Sequence, residues 1–208
     1  MSIKDIVLGL CLSGLTLSAI AQKNYFVDGF HGGIYGHYPM WVTQFMVDSL
    51  KAYPEWRIGM EIEPETWDTV LVKDPSGYRS IQEWAVSERM DFTNPTYAQP
   101  YLYNISGESI IRQFSYGMAK HRKHFHNLQF TTYAVEEPCF TSSLPQILKQ
   151  FGIQYAVLKC PNTLWGGYTR AFGGEILNWV GPDGTSILTV PRYESEALEE
   201  NSTWQTTA

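Results

Sequence analysis

The chain has 208 residues, 44% hydrophobic and 17% charged, which suits one sizeable globular domain and excludes a disordered chain. Its formal net charge of −6 leaves no basic footprint for nucleic acid or for an anionic membrane. Aromatic residues reach 14%, and flat rings serve both a packed core and the apolar faces of sugar rings.

The chain opens on a targeting segment. Lys4 precedes the apolar stretch Ile6 to Ile20, and Ala19-Ile20-Ala21 has the small-x-small pattern of a signal-peptidase site. Residues 1–21 therefore read as a signal peptide, and residues 22–208 as the exported, periplasmic or extracellular, part. The apolar run is too short to span a bilayer comfortably, and Cys11 lacks the small-residue context of a lipoprotein signal. Beyond the signal only Cys139 and Cys160 are left. Export permits a disulfide between them, although two cysteines in a domain of this size are more often simply small buried residues.

Short β-rich runs then alternate with amphipathic helical segments, the pattern of an α/β domain. Tyr25 to Val27 is a first strand, followed by a glycine-rich turn from Asp28 to Gly36. A helix is expected from Pro39, with Val42, Phe45, Met46 and Leu50 on one face. Arg57 to Ile62 reads as a strand running into Glu63-Pro64-Glu65, and Ile81 to Glu88 as a helix. Ser106 is a good N-cap for a helix whose stripe is Ile110, Ile111, Phe114 and Met118. Leu128 to Val135 is then a strand, ending at Glu136 and Glu137 before Pro138. Thr141 caps a helix carrying Leu144, Ile147, Leu148 and Phe151, and Gly152 ends it. Tyr155 to Leu158 is the next strand. Gly181-Pro182-Asp183-Gly184 turns between Ile176–Val180 and Ile187–Val190, an antiparallel pair.

In strand-loop-helix order, the carboxyl ends of strands are where α/β barrels build active sites. Three such ends carry polar groups: Asp28 with His31, Glu61 with Glu63, and Glu136 with Glu137. A carboxylate at the third can attack an anomeric carbon and form a glycosyl-enzyme. The alternative is a solvated acid pair. Asp28, His31 and His37 offer ligands suited to zinc, although the spacing matches no strong metal motif, and a plain glycine turn accounts for them as well. Glu61, Glu63 and Glu65 share one face if the strand continues through them, available to sugar hydroxyls or simply to solvent. His121, His124 and His126 beside Arg122 and Lys123 read as a solvated cationic helix end. Trp165, Tyr168 and Arg170 lie in a loop that reads as substrate-binding or as a structural hairpin.

Several short blocks, in order, carry a family resemblance: Ser106-Gly-Glu-Ser-Ile-Ile-Arg-Gln113 with Tyr116-Gly117, Ser143-Leu-Pro-Gln-Ile-Leu-Lys149 with Phe151-Gly152, and Gly181-Pro-Asp-Gly184 with Ile187-Leu-Thr189. In these the chain resembles the N-terminal catalytic domain of glycoside hydrolase family 38, the α-mannosidases. The resemblance implies a seven-stranded α/β barrel of the glycoside hydrolase/deacetylase type, incomplete in this chain, as the front part of a longer enzyme. It also implies a carbohydrate substrate, zinc, and retention of anomeric configuration. The family's nucleophile is an aspartate just before the Leu-Pro-Gln block, and that position falls on Glu136, one methylene longer. Glu137 is the second candidate. The family's His-x-Asp zinc motif falls on His31-Gly32-Gly33, so Gly33 replaces a ligand, and Asp28 or His37 are offered in its place. Tyr101-Leu102-Tyr103 stands where many members have an acidic segment. A metal-dependent carbohydrate deacetylase and a non-catalytic sugar-binding protein are the alternatives.

Overall fold

The computed structural model describes residue 39 and residues 41–135, 141–158 and 176–190. Residues 1–38, with the signal peptide, the first strand, Asp28, His31 and His37, lie outside these, as do Cys139 and Cys160.

The described elements are α1 (Trp41–Ala52), β1 (Ile58–Met60), α2 (Thr66–Lys73), α3 (Pro75–Ala85), β2 (Met90–Phe92), a 3-10 turn (Leu102–Asn104), α4 (Gly107–His124), β3 (Thr132–Ala134), α5 (Leu144–Gln150), β4 (Tyr155–Val157), β5 (Leu177–Val180) and β6 (Ser186–Val190). β1 pairs with β2 in parallel, and a second sheet runs in the order β3-β4-β6-β5 with only β5 antiparallel. The two sheets adjoin where Ala134 N donates to Thr93 O at 3.0 Å. Parallel strands joined by helical crossovers are the α/β architecture expected from the sequence. Six strands are described, so a closed seven-stranded barrel is not complete among the described residues.

Alternation along the strands separates an inner from an outer face. Met90 and Phe92 on β2 and Tyr133 on β3 turn outward into a core with Trp67, Ile81, Phe114 and Phe125. Trp67 meets Phe125 edge-on at 5.0 Å, and Phe114 stacks on Tyr133 at 6.0 Å. Asp91, between Met90 and Phe92, belongs to the inner face with its partner Gly59.

Local chemistry accounts for several helix ends. Ser106 caps α4 by accepting from Ser109 N at 3.2 Å, as the sequence indicates. Asp74 accepts from Gly77 N and Pro75 opens α3. Gly152 follows α5 with φ +82°, where its N–H reaches Lys149 O, and Gly184 closes the β5–β6 turn at φ +83°.

Four helix expectations change, and the strands expected over 57–62 and 128–135 shorten to β1 and β3. The α1 stripe holds Val42, Met46 and Leu50 inside, but Phe45 is 55% exposed and makes an edge contact with Trp41 instead. The helix expected over 81–88 begins at Pro75 and stops at Ala85, and α2 precedes it. Asp74-Pro75 is the start signal that places it earlier. α5 begins after Ser143, and Thr141 contributes its carbonyl to Leu144 N in place of a side-chain cap. The last turn of α4 is only in part a solvated cationic end: His121 and His124 are buried, whereas Lys123 and, just beyond the helix, His126 are exposed and Arg122 is half-buried. The two buried histidines continue the i, i+3 spacing of Phe114, Gly117 and Met118, so the helix turns them inward with its apolar stripe.

Candidate active site

Backbone hydrogen bonds bring the carboxyl ends of five parallel strands to one edge. Thr93 N donates to Met60 O at 3.1 Å, joining the ends of β1 and β2, and Ala134 N on Thr93 O adds the end of β3. Ala134 pairs with Val157, and Leu158 N donates to Val190 O at 3.0 Å, adding β4 and β6. The residues that follow these ends form the rim: Glu61 and Glu63, Asn94 to Gln99, and Val135, the residue before Glu136 in the chain. Glu136 and Glu137, and the loop with Trp165, Tyr168 and Arg170, lie outside the described residues.

The three alternating glutamates do not share a strand face, because β1 ends at Met60. Glu61 is fully buried, and its carbonyl receives Gln99 Nε2 at 3.5 Å. Glu63 is half-buried, and its carbonyl accepts from Thr66 N, opening the turn into α2. Glu65 sits at the N-cap position of α2 and receives the Tyr97 hydroxyl, a bond that raises the Tyr97 pKa. The intervening Pro64, after Ile62, bends the chain out of the sheet, so helix geometry replaces the period of two.

The loop after β2 completes the rim. Asn94 is fully buried, and its Oδ1 accepts from Thr96 N at 3.0 Å and from the Thr96 hydroxyl at 2.6 Å. Asn94 Nδ2 has no hydrogen-bond partner among the described residues, an unused donor at the strand end. Tyr97 N donates to Gln113 O and Ala98 N to Gln113 Oε1, both at 2.9 Å, tying the loop to α4.

Asp91 escapes a reading based on strand ends. It lies mid-strand, and the signal that finds it is a charge between two core residues, Met90-Asp91-Phe92. Its side chain meets solvent through a cavity of about 970 Å³ that runs along the inner face past Gly59, Thr132 and Val157. The cavity walls remove water and push the carboxyl pKa up, and a bond from Phe92 N partly offsets this. Much of the cavity, including Arg57, Ser87 and Gln129, faces the amino ends of the strands. Active sites on parallel α/β sheets belong to the other edge, so the rim outweighs this hollow.

The resemblance implies zinc. Among the described residues no three His, Cys, Asp or Glu side chains converge as a metal site requires. These residues do not by themselves fit a zinc ion, and no step is assigned to one.

The α4 histidines lie behind the rim. His124 Nδ1 is 2.9 Å from the Tyr78 hydroxyl and Nε2 is 3.2 Å from Asp68 Oδ1, with Lys120 also on Asp68. His121 packs between Phe92 and Phe130, at 5.9 and 5.3 Å, and neither ring nitrogen has a hydrogen-bond partner among the described residues. Burial lowers its pKa to about 3 from 6.5, with only partial opposition from the nearby Asn94 backbone. The unfolded chain therefore binds a proton near pH 6.5 that the fold rejects, and stability falls as pH drops below that value. Between pH 7 and 5 this amounts to roughly 2 kcal/mol. His121→Phe keeps a ring in the aromatic pocket, and its urea midpoint should fall less than that of the parent over this range. Equal pH slopes would mean that His121 takes up its proton in the native protein as readily as in the unfolded chain.

Comparison with known proteins agrees with this geometry. The description "Glycosyl hydrolases family 38 N-terminal domain" matches residues 40–207. The chain belongs to glycoside hydrolase family 38. Alpha-mannosidase G of Dictyostelium discoideum is 26% identical over 149 residues, which are 70% of this chain and 13% of that protein. The chain thus spans a small part of the curated relative it matches. An alpha-mannosidase from Enterococcus faecalis superposes with a TM-score of 0.57 at 16% identity, over 73% of this chain and 17% of that one. The 4-alpha-glucanotransferase of Thermococcus litoralis gives 0.58 at 15% identity, over 74% and 26%. These structural likenesses show the fold alone: an α/β fold of the glycosidase kind. No described helix is long and apolar enough to cross a membrane.

Proposed function

We propose that the full-length protein is a retaining glycoside hydrolase acting on α-linked, mannose-like sugars, with Glu136 as the nucleophile on a seven-stranded barrel. Convergence of five parallel strand ends at one rim, with β3 running up to Val135, is the observation that supports it. Membership of family 38 supplies the reaction class.

In the proposed reaction, the Glu136 carboxylate attacks the anomeric carbon as the glycosidic C–O bond breaks, and a general acid protonates the departing oxygen. Water then adds at the same carbon, its proton passes to that group acting as base, and the bond to Glu136 breaks. Counted back from the Leu-Pro-Gln block that begins at Leu144, the family's nucleophile position falls on Glu136 and not on Glu137. That placement favours Glu136 over Glu137. Glu63, Trp165, Tyr168 and Arg170 are proposed sugar contacts, and Asp28, His31 and His37 proposed metal ligands. Export through residues 1–21 belongs to the same proposal.

The test is hydrolysis of an aryl α-mannoside by the full-length protein, with the first-formed sugar followed by proton NMR. α-Mannose appearing before mutarotation is the expected result, and β-mannose appearing first would mean inversion and remove the nucleophile. Binding without turnover would make the protein a sugar-binding relative.

A further inference from the structure

We propose that Tyr101 and Tyr103 form a stacking platform for a second pyranose ring of an α-linked oligosaccharide, beside the rim. The inference rests on the reading that the full-length protein acts on an α-linked sugar there.

The two rings are stacked, with centroids 5.8 Å apart and planes 13° from parallel. They belong to the short 3-10 turn, where Asn104 N donates to Tyr101 O at 2.9 Å. Leu102 between them is 1% exposed and anchors the turn in the core, while Tyr103 is 52% exposed. An aromatic side chain is thus held on a pinned backbone with much of its surface in water. A core role does not account for that exposure, because Leu102 already supplies the anchor.

The turn's location ties it to the site. Gln99, two residues before Tyr101, donates to the carbonyl of Glu61 at the end of β1, and Ala98 is bonded to Gln113 of α4. The segment from Pro100 to Ile105 carries no charged side chain. Aromatic faces without charge suit a neutral ligand with an apolar face and a polar edge. A pyranose is such a ligand: its axial C–H groups lie against a ring, and its hydroxyls meet the phenol oxygen and the exposed Asn104 amide at the edge. The stack raises the specificity of the site for longer chains, because a single sugar at the strand ends does not need it.

The test compares full-length wild type with Tyr103→Ala and Tyr103→Trp, using an aryl α-mannoside and an α-linked mannotriose. In Tyr103→Ala the KM for the trisaccharide should rise about tenfold relative to that for the aryl glycoside, and Tyr103→Trp should restore the ratio. Melting temperatures, expected to match because the side chain is exposed, separate this from unfolding. An unchanged ratio would overturn the platform. Should wild type hydrolyse neither glycoside, the enzymatic reading fails, and saturation-transfer NMR with the trisaccharide then decides the platform alone. Ring-proton transfer lost in Tyr103→Ala sustains it, whereas absent binding or unchanged transfer removes it.

Discussion

Glutamine in place of Glu136 in the full-length protein is expected to cut turnover of an aryl α-mannoside by roughly 10³-fold or more, about 4 kcal/mol of barrier. The amide keeps the size and a hydrogen-bonding oxygen but cannot form the glycosyl ester on which a retaining mechanism depends. The fold should survive. The described core is complete without this side chain, since β3 is held by Tyr133 on α4 and by its pairing with β4. Chemical rescue separates the roles a carboxylate can have. In Glu136→Ala, azide entering the vacated space attacks from the face opposite the leaving group and yields a β-glycosyl azide. If Glu136 were the acid/base instead, azide would intercept the glycosyl-enzyme and give the α-azide. Near-wild-type turnover in Glu136→Gln would move the assignment elsewhere, with Glu137 tested next.

The second large effect is structural. A Cβ added at Gly117 on α4 would lie 2.3 Å from Thr96 C, 2.4 Å from Pro95 O and 2.4 Å from Tyr97 N. All three are backbone atoms, so no side chain can swing aside; helix and rim loop must separate. Separation breaks the bond from Tyr97 N to Gln113 O and displaces the segment that leads to Tyr101. Gly117→Ala is therefore expected to destabilise the protein by about 3 kcal/mol, despite alanine's higher helix propensity of about 1 kcal/mol. A urea titration reads the loss. If the variant folds, its KM for α-mannosides should rise as the rim loop shifts. A variant as stable as the parent would mean that α4 and the loop are not packed this closely.

Much of the fold is legible in local patterns. Ser106 and the stripe Ile110, Phe114 and Met118 describe α4 because capping and the 3.6-residue period are properties of a short segment. Gly181 to Gly184 describes the hairpin for the same reason. The glutamates after β1 show the limit: continuing the period of two through Glu61, Glu63 and Glu65 misplaces them, because the strand stops at Met60 where its partner β2 ends. Strand length depends on the neighbour, and the neighbour is distant in sequence. His121 fails for the opposite reason. Charge around it at the helix end suggests water, but its phase on α4 aims it at Phe92 and Phe130, and phase outweighs composition.

By itself the sequence determined the α/β alternation, the Ser106 cap, the turns at Gly152 and Gly181 to Gly184, and the resemblance to family 38, since each depends on residue type at fixed spacing. Tertiary structure alone decided that the ends of β1, β2, β3, β4 and β6 share one edge, that Asp91 faces an inner cavity, and that Tyr101 and Tyr103 stack on an anchored turn. Each of these is a meeting of segments far apart in the chain or a choice of side-chain direction. Such meetings are set by hydrogen bonding and packing across the whole domain, to which no local window has access.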